Sequence, residues 1–341
     1  MNRTNLVADD KKYRMTDLSI IIVSYRGWDK LTACLASLDK FSGDRFSTEV
    51  IVVDNNSQDD RVFAIEKKFP RFRFVFNDIN GGFGYGCNVG AGLARGEYFL
   101  FLNPDTVATE TETGSLLETA RENPSYTILS CRQVNSGGRE GRVSGQFPEF
   151  YNLTGFMRAV FRSPYFKGTT SQIVNDAGNI KFPDWVSGSV IMIKEEEFRS
   201  AGGFDDDFWM YFEDVDLCKR VRDNGGVVGV AKDIVIEHNH GGSSRINLRT
   251  ASLTKTEVHI SRHLYICKHK KGAERFFIQV FLVINNVISG GVVAAAGIIF
   301  FFIPKIFSRT LIFVRLINYY VTAVCRRSWR SPRSVRSIMK S

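Results

Sequence analysis

The sequence predicts an α/β protein with a mostly parallel central sheet and flanking helices, followed by a hydrophobic and basic C-terminal region. Short apolar runs rich in β-branched residues alternate with amphipathic helical segments from the start of the chain, and each run is typical of a strand buried on both faces. Of the 341 residues, 44% are hydrophobic, which is ample for a large core. The positive charge is concentrated near the C-terminus, which separates that region from the rest.

The first half of the chain shows a βαβαβ order. Strands joined by helices in this order favour an open sheet with right-handed crossovers. The predicted elements are strands at residues 18–25, 49–54 and 72–77 and helices at 29–39, with Asp29 as N-cap, and at 60–69.

Polar residues follow these strands directly. Ligands of open α/β sheets bind at the carboxyl ends of the strands. We therefore expect Tyr25, Asp54 and residues 77–80 to lie near one another at the mouth of a nucleotide-sized cleft.

Residues 80–92, NGGFGYGCNVGAG, are rich in glycine. Glycine permits positive φ and a close approach of the backbone to a ligand. The segment lacks the Gly-Lys-Ser/Thr sequence of a Walker loop. Two interpretations stay open, a ligand-binding loop and a Gly-rich turn into a helix at 88–94.

A strongly hydrophobic strand, residues 97–102, runs directly into Asn103, Pro104 and Asp105. A carboxylate at the end of a buried strand is costly unless a cation meets it. A divalent metal that carries a diphosphate would be such a cation. The alternative is a turn that starts the helix predicted at 110–122.

Residues 182–226 hold the densest run of carboxylates, glycines and aromatic residues in the chain. Within it, three aromatic side chains precede Glu213, Asp214 and Asp216, which begin a predicted helix. Acids in the first turn of a helix are ordinary partners of its dipole. A carboxylate desolvated by aromatic neighbours instead gains proton affinity and suits a general base. The residues alone leave both interpretations open, although Asp216 fits the helix-start role.

The remaining segments carry weaker signals. Residues 130–181 are predicted to be irregular and to shape one wall of an acceptor site. A strand at 229–237 ends in His238, Asn239 and His240, followed by a Gly-Gly-Ser-Ser turn. Two histidines beside such a turn favour a metal-ligand role over packing.

Taken together, these motifs resemble family 2 glycosyltransferases with the GT-A fold. The similarity covers residues 18–264 and is greatest to bacterial rhamnosyltransferases of O-antigen and cell-wall assembly, which use dTDP-L-rhamnose. The motifs, in the order and spacing of that family, are LSIIIVSY, VIVVDNNSQDD, NGGFGYGCNVG, FLFLNPDT, DWVSGSVIMI, GGFDDDFWMYFEDVDLCKRV and HNHGGSS.

The resemblance implies a donor site and a divalent metal, Mg²⁺ or Mn²⁺. Asn103 to Asp105 stands where the family has its DxD motif, with a single carboxylate, so the metal depends on Asp105 and a histidine. His238 is the first choice and His240 the second. The implied nucleotide-sugar-binding residues are Tyr25, Asp54, Asn80, Gly82, Asn88, Asn103 and Asp105.

The resemblance also implies an inverting mechanism. Asp214 would be the base that deprotonates the acceptor hydroxyl and Glu213 would orient the acceptor, whose site is lined by Trp185, Ser187 and Gly188. A donor such as a UDP-hexose or UDP-galactofuranose is the nearest alternative. A catalytically silent GT-A domain that serves as a membrane assembly module is a second alternative, supported by the missing carboxylate of the DxD motif.

The C-terminal region differs in charge and hydropathy. The net charge is +9, but residues 261–341 contain 14 Lys and Arg and one Glu, so residues 1–260 carry −4. This distribution does not indicate nucleic-acid binding by the main domain. Residues 276–303 are uncharged and long enough to span a bilayer.

Two arrangements of this region are open. One is an in-plane helical pair bent at Gly290 and Gly291, and the other is a hairpin whose second limb is residues 306–325. Arg315 makes a full span by that limb costly. In both, the basic residues would face anionic lipid headgroups.

The expected organisation has three parts. An extension at 1–17 without a signal peptide precedes a GT-A domain at 18–264, with a nucleotide-sugar half at about 18–110 and an acceptor half at about 180–250. A membrane-associating region at 265–341 follows. The six scattered cysteines are expected to be reduced. We therefore expect a protein at the cytoplasmic face of a bacterial inner membrane that acts on a lipid-linked saccharide.

Overall fold

The computed structural model describes residues 16–161, 176–239 and 247–339. The strands in this part of the chain are β1 (Thr16–Ser24), β2 (Thr48–Asp54), β3 (Arg73–Phe76), β4 (Gly96–Leu102), β5 (Thr106–Val107), β6 (Ile128–Val134), β7 (Ser144–Gly145), β8 (Asp176–Ala177), β9 (Ile180–Lys181), β10 (Trp185–Val186), β11 (Val190–Lys194) and β12 (Val228–His238). The helices are α1 (Trp28–Leu38), α2 (Arg61–Lys68), α3 (Phe83–Leu93), α4 (Glu110–Glu122), α5 (Gly155–Phe161), α6 (Glu195–Ser200), α7 (Glu213–Asp223), α8 (Leu248–His269), α9 (Gly272–Ile299), α10 (Pro304–Arg326) and α11 (Val335–Ile338).

Ten of the strands form one sheet in the order β3-β2-β1-β4-β11-β6-β12-β9-β8, with β5 beside β12. Strands β3, β2, β1 and β4 are parallel, and so are β6 and β12. Strand β11 runs antiparallel between β4 and β6. The predicted α/β class with a mostly parallel sheet is thereby confirmed.

The apolar runs of the first half form the buried strands, as predicted. Ile20, Ile21 and Ile22 of β1 are fully buried, because helices cover both faces of this part of the sheet. Helix α1 starts at Trp28, with Gly27 and not Asp29 at its N-cap, and Asp29 lies in the first turn.

The glycine-rich segment is mostly helix, not loop, because α3 begins at Phe83. A Cβ atom at Gly86 would lie 2.6 Å from Val23, and one at Gly90 would lie 2.5 Å from Ile21. These two glycines therefore let α3 pack closely on the sheet. The prediction that the helix starts at 88 was wrong, since close helix–sheet packing and ligand approach both select glycine.

The prediction of irregular structure from residue 130 was also wrong at its start, because β6 lies in the middle of the sheet. Its polar residues Ser130 and Gln133 break the apolar run that marked the other strands. Both are buried with partners: the Ser130 hydroxyl donates to the Val190 carbonyl at 2.7 Å.

The C-terminal region is a helical hairpin of α9 and α10 that packs against α8. Helix α9 continues through Gly290 and Gly291, where Phe313 of α10 lies over both residues. The bend at the glycines is therefore absent, and the hairpin arrangement is the one observed. Helix α8 crosses residue 264, so the predicted domain boundary falls inside a helix.

Among the described residues, one helix, α9, is long and apolar enough to cross a membrane, with a mean hydropathy of 1.9 in its most apolar 18-residue window. Much of its surface faces outward: the side chains of Phe277, Ile288 and Val292 are 66%, 64% and 70% exposed.

The run Asp205 to Asp207 attaches the C-terminal region to the sheet domain. The Lys268 ammonium lies 2.7 Å from carboxylate oxygens of both Asp205 and Asp207. Asp207 is buried and also meets Arg330 at 2.8 Å and Arg336 at 3.7 Å. Asp205 and Asp207 are therefore the counter-charges of a basic C-terminus.

Replacing Asp207 by Asn is expected to lower the free energy of unfolding by about 3 kcal/mol, because it removes a buried carboxylate that pairs with Lys268, Arg330 and Arg336. The measurement is chemical denaturation, with limited trypsin digestion as a probe of the C-terminal segment. Asp223→Asn, which removes an exposed pair with Lys219 on one helix, is the control and should change stability by less than about 0.5 kcal/mol. Equal effects of the two substitutions would refute the anchoring role.

Candidate active site

The donor and acceptor halves predicted from the sequence meet at one cavity of about 220 Å³. It lies between the end of β4 and the start of α7, so the carboxyl edge of the sheet faces the acidic helix N-terminus. Its polar lining residues are Asn103, Asp105, Ser187, Ser189, Tyr211, Glu213 and Asp214.

Asp105 and His238 lie side by side at the sheet end of the cavity, with Nε2 of His238 3.0 Å from Oδ1 of Asp105. Nδ1 of His238 is 2.7 Å from Oε1 of Gln133, which also accepts a hydrogen bond from the Ser189 hydroxyl at 2.8 Å. Because Oε1 can only accept, the imidazole proton belongs on Nδ1 and Nε2 directs its lone pair at Asp105. A proton or a cation is needed between that lone pair and a carboxylate.

Asp105 and His238 fit the binding of a divalent metal that a diphosphate carries. A divalent ion of this kind takes one or two carboxylates and completes its shell with phosphate oxygens and water. A hydrogen bond to the second ring nitrogen, as Gln133 provides, orients a ligating histidine. No group of three or more His, Cys, Asp or Glu side chains able to hold a metal occurs within the described ranges, so the phosphates would supply the remaining ligands.

Two further side chains border the pair. The Lys30 ammonium lies 3.9 Å from Oδ2 of Asp105 and donates to the carbonyl of Asn239. The Asn103 amide nitrogen lies 3.5 Å from Nε2 of His238. His240 lies outside the described residues, as does the Gly-Gly-Ser-Ser turn, so the order of preference between the two histidines stays a prediction.

The nucleotide end of the predicted donor site is built from the loops after β1, β2 and β3. Tyr25 follows β1 directly, and Asp54 is the last residue of β2. The buried Asp54 carboxylate accepts hydrogen bonds from the backbone and hydroxyl of Ser57, at 2.9 Å for the backbone. The Asn55 amide joins the next loop by donating to Asn80 at 3.2 Å. The structure therefore brings Tyr25, Asp54 and Asn80 to one edge, as expected.

Asn88 faces away from this edge. Its amide nitrogen donates to the Phe204 carbonyl at 2.8 Å and to Asp206 at 2.9 Å, and its oxygen accepts from the Phe204 backbone at 2.9 Å. The side chain thus ties α3 to the turn before α7. Its role in donor binding stays a prediction, while these contacts give it a structural one.

Gly82 also connects the two halves. Its φ is +94°, and a Cβ atom there would lie 1.7 Å from the Trp209 carbonyl oxygen. That oxygen accepts from the Phe83 backbone at 3.2 Å, and the Trp209 indole donates to the Asn80 carbonyl at 3.0 Å. Gly82 is needed because the aromatic run packs directly on the turn.

Replacing Gly82 by Ala is expected to destabilise the protein by at least about 2 kcal/mol, because the side chain meets a backbone oxygen and the φ value suits only glycine. Thermal unfolding measures the loss. The control is Gly92→Ala near the end of α3, where a Cβ meets nothing within 4 Å. That change should be neutral or stabilising, since alanine is the better helix former by about 1 kcal/mol. A Gly82→Ala protein as stable as the parent would contradict the packing.

Asp214 lies between the cavity and the turn before β11. Its Oδ2 accepts from the Gly188 backbone at 2.8 Å, and its Oδ1 accepts from the Val215 backbone at 2.8 Å. Burial raises the pKa of Asp214, and these hydrogen bonds offset part of the rise. A fixed, desolvated carboxylate with raised proton affinity has the properties of a general base.

Glu213 is buried beside it. Burial raises the pKa of Glu213 well above its usual range, and the charge of Asp214 raises it further. Its Oε2 accepts no hydrogen bond from any described residue. The two preceding residues, Tyr211 and Phe212, have φ values of 66° and 68°, a region that aromatic residues rarely adopt. This turn points the acid pair and Tyr211 at the cavity, and such backbone strain is typical of functional sites.

Replacing Glu213 by Gln is expected to stabilise the protein progressively as the pH rises. The folded state holds the Glu213 proton more tightly than the unfolded state, so Glu213 destabilises the fold increasingly as the pH rises above the ordinary pKa of Glu, and the effect is complete above the raised pKa. Below about pH 4, where both states are protonated, this difference disappears. The measurement is the melting temperature of parent and variant from pH 4 to pH 9, and a constant difference across this range would contradict the raised pKa.

A second cavity of about 600 Å³ opens on the other side of Asp214. Trp185 forms one wall and donates from its indole nitrogen to the Gln146 carbonyl at 2.8 Å. Ser187, Tyr211 and Asp214 line both cavities. The predicted acceptor residues Trp185 and Ser187 therefore lie beside the proposed base, and Gly188 holds it through its backbone.

Some functional positions were not found from the sequence. Lys30, Gln133 and the arginines of the larger cavity reach the site only through tertiary structure. The sequence offers no clear signal for Gln133, because Ser130 and Arg132 are also polar residues of the same strand. Asp216 also has a larger role than helix start: it is buried and pairs with Arg220 at 2.8 Å and His269 at 2.7 Å, which joins α7 to α8.

Comparisons with known proteins agree with this architecture. Residues 19–178 match the family described as Glycosyl transferase family 2. The crystal structure of GalNAc-T7 with UDP, GalNAc and Mn2+ has a similar fold, with a TM-score of 0.51 and 14% identity over 73% of this chain and 48% of that chain. That likeness concerns the fold alone.

Two relatives extend the match beyond the first half. The low-salt glycan biosynthesis hexosyltransferase Agl10 of Haloferax volcanii is 27% identical over 230 residues, which are 66% of this chain and 68% of the relative. An N-acetylglucosaminyl-diphospho-decaprenol L-rhamnosyltransferase of Mycobacterium tuberculosis is 27% identical over 252 residues, 68% of this chain and 79% of the relative.

The sheet topology and the solved structure that it resembles define a GT-A fold. Residues 19–178 belong to glycosyl transferase family 2, so this part of the chain is a glycosyltransferase domain.

Proposed function

We propose that the protein transfers L-rhamnose from dTDP-L-rhamnose to a lipid-linked saccharide of cell-surface polysaccharide synthesis, with inversion at the anomeric carbon. The observation that carries this proposal is the shared cavity, because Asp105 at one end and Asp214 at the other line the same space. A donor diphosphate near Asp105 would direct the anomeric carbon toward Asp214. The L-rhamnosyltransferase relative from Mycobacterium tuberculosis supports L-rhamnose as the transferred sugar and a lipid-linked acceptor.

In the proposed reaction Asp214 takes the proton of the acceptor hydroxyl as that oxygen bonds to the anomeric carbon. The bond from that carbon to the diphosphate breaks, and the electron pair leaves with the nucleoside diphosphate. Attack on the face opposite the leaving group inverts the centre. Glu213 and Trp185 would orient the acceptor, and Lys30 adds a positive charge beside Asp105. A bound Mg²⁺ or Mn²⁺, held by Asp105 and His238, would stabilise the leaving diphosphate.

The apolar surface of the C-terminal hairpin supports a membrane location. Many apolar side chains of the hairpin are exposed, and an extended exposed apolar surface is typical of a membrane or partner contact. Basic residues of the same region would bind anionic headgroups. We infer that the protein lies at the cytoplasmic face of the inner membrane, where a lipid-linked acceptor is within reach.

The hexosyltransferase relative favours a second candidate donor, a UDP-hexose or UDP-galactofuranose. The test is a thermal-shift panel of dTDP-rhamnose, UDP-glucose, UDP-galactose, UDP-galactofuranose and GDP-mannose with Mg²⁺, since a binding donor raises the melting temperature by mass action. We expect the largest shift with dTDP-rhamnose. A larger shift with another donor would reassign the sugar, and no shift with any of them would favour a silent assembly module.

A further inference from the structure

The larger cavity beside Asp214 is lined by three arginines, Arg142, Arg158 and Arg262. We propose that these arginines bind the diphosphate of a lipid-linked glycosyl diphosphate, so that the acceptor's diphosphate and its reacting hydroxyl occupy one cavity. The acceptor would then be a carrier that bears one sugar or very few, which places the enzyme early in chain assembly. This inference rests on the proposed glycosyl transfer and specifies its acceptor.

The three guanidinium groups lack carboxylate partners among the described residues. Arg158 donates to the Asn152 carbonyl at 2.9 Å, and Arg142 donates to the Ser144 carbonyl at 3.3 Å. Arg262 is largely buried and makes no hydrogen bond or ion pair within the described ranges. Burial lowers the pKa of Arg262, and the positive charge of Arg158 lowers it further. Arg142 and Arg158 are exposed, whereas the desolvated charge of Arg262 beside that of Arg158 is costly without an anion.

The cavity supplies no other counter-charge. Asp214 is its one acidic lining residue, and that carboxylate is already held by two backbone N–H groups. The other lining residues are uncharged. Three arginines that face one space match the charge and the several oxygens of a diphosphate, because a guanidinium binds phosphate through paired hydrogen bonds.

The donor's own diphosphate has a different place. Asp105, His238 and Lys30 gather at the far end of the smaller cavity, and none of the three arginines lines that space. Asp214, Ser187 and Tyr211 line both cavities, so the proposed base stands at their junction. A saccharide that reaches from Asp214 into the larger cavity brings its anomeric end to the arginines.

The lipid chain also has a surface to follow. Phe150, near the arginine wall, packs against Phe281 of α9 with ring centroids 5.4 Å apart. The outward side chains of α9 next to it include Phe277 and Ile284, which are more than half exposed. Arg262 itself lies on α8, which packs against α9. A chain leaving the diphosphate would therefore meet the apolar hairpin. We favour a glycosyl carrier over a phospholipid headgroup because Trp185 and Asp214 border the same space.

The test measures binding of farnesyl diphosphate to the full-length protein in detergent micelles, with excess dTDP, UDP and Mg²⁺ present to occupy the donor site. Farnesol and phosphatidylglycerol serve as comparison ligands. The variants are Arg262→Gln, Arg262→Lys and Arg142→Gln combined with Arg158→Gln. Arg139→Gln, in an exposed loop outside the cavity, is the matched control.

We expect farnesyl diphosphate to bind and farnesol and phosphatidylglycerol to bind much more weakly. Arg262→Gln should weaken binding by about tenfold or more, Arg262→Lys by less, and Arg139→Gln not at all. Unchanged affinity in both Gln variants would overturn the proposal. Equal binding of phosphatidylglycerol would assign the arginines to a phospholipid headgroup. Binding of farnesyl diphosphate that occurs only when dTDP and UDP are left out would assign the probe to the donor site.

The binding experiment uses no sugar donor, so it separates this inference from the proposed transfer. If farnesyl diphosphate binds through the arginines but no donor is used, the diphosphate site stands and the proposed function fails. If the protein transfers sugar equally well to an octyl glycoside and to a glycosyl diphosphate lipid, the transfer stands and the diphosphate site fails. Melting temperatures of each variant show that a lost affinity does not come from unfolding.

Discussion

Replacing Asp214 by Asn is expected to lower the rate of sugar transfer by about 10²-fold or more while donor affinity stays unchanged. The amide keeps the shape of the side chain and can still accept the Gly188 or Val215 hydrogen bond, but it cannot take a proton. The loss should appear in kcat, because the group acts only as the acceptor hydroxyl is deprotonated. The measurements are steady-state transfer and a thermal shift with the donor.

The control for this substitution is Asp44→Asn, an exposed loop residue whose loss should leave transfer unchanged. In the parent enzyme the rate should fall on the acidic side as Asp214 becomes protonated, at a pH above the ordinary range for Asp because burial raises its pKa. Near-normal turnover by Asp214→Asn would exclude it as the base and direct attention to Glu213.

Removal of the divalent metal is expected to have an equally large effect. EDTA should abolish transfer and Mg²⁺ or Mn²⁺ should restore it, because the leaving diphosphate is otherwise poorly stabilised. Asp105→Asn should reduce transfer by about 10²-fold or more, since Asp105 is the one carboxylate among the proposed metal ligands. A second measurement, which needs no turnover, is the rise in melting temperature caused by dTDP. In the parent this rise should require Mg²⁺, and in Asp105→Asn it should no longer depend on Mg²⁺.

Asn103→Asp is the matched gain-of-charge variant. The Asn103 amide nitrogen lies 3.5 Å from Nε2 of His238, so this substitution adds a second carboxylate beside Asp105 and His238. We expect it to lower the Mg²⁺ concentration needed for half-maximal activity. Transfer that resists chelation in purified protein, or an Asp105→Asn variant with an unchanged metal requirement, would contradict the assigned site.

The contrast between β1 and β6 shows how far sequence patterns determine this fold. The uninterrupted Ile run of β1 can be accommodated only by burial on both faces, so its place in a parallel sheet was predictable. Strand β6 is buried just as deeply but carries Ser130 and Gln133, whose hydrogen bonds exist only once β11 and His238 are in place. A pattern based on hydrophobicity therefore missed it.

The residues of the candidate site were likewise predictable only in part. Asp105 and Asp214 stand in local motifs whose chemistry is visible in the residues around them. Lys30 and Arg262 come from helices with no such motif, and they reach the cavities because α1 and α8 pack there. The glycines of residues 80–92 could be seen in the sequence, but their role could not be predicted from it. Gly82 is required by the Trp209 carbonyl and Gly86 by Val23, yet both look identical in sequence to glycines that approach a ligand.

The anomeric configuration of the transferred sugar decides whether the reaction is a single displacement. The purified enzyme would be incubated with its best-binding donor, Mg²⁺ and a glycosyl diphosphate lipid, and the product analysed by NMR. A single displacement with Asp214 as base predicts a product inverted relative to the donor, with the transferred sugar found only in the lipid fraction. Retention of configuration, or donor hydrolysis without transfer, would exclude a single displacement onto the acceptor with Asp214 as base.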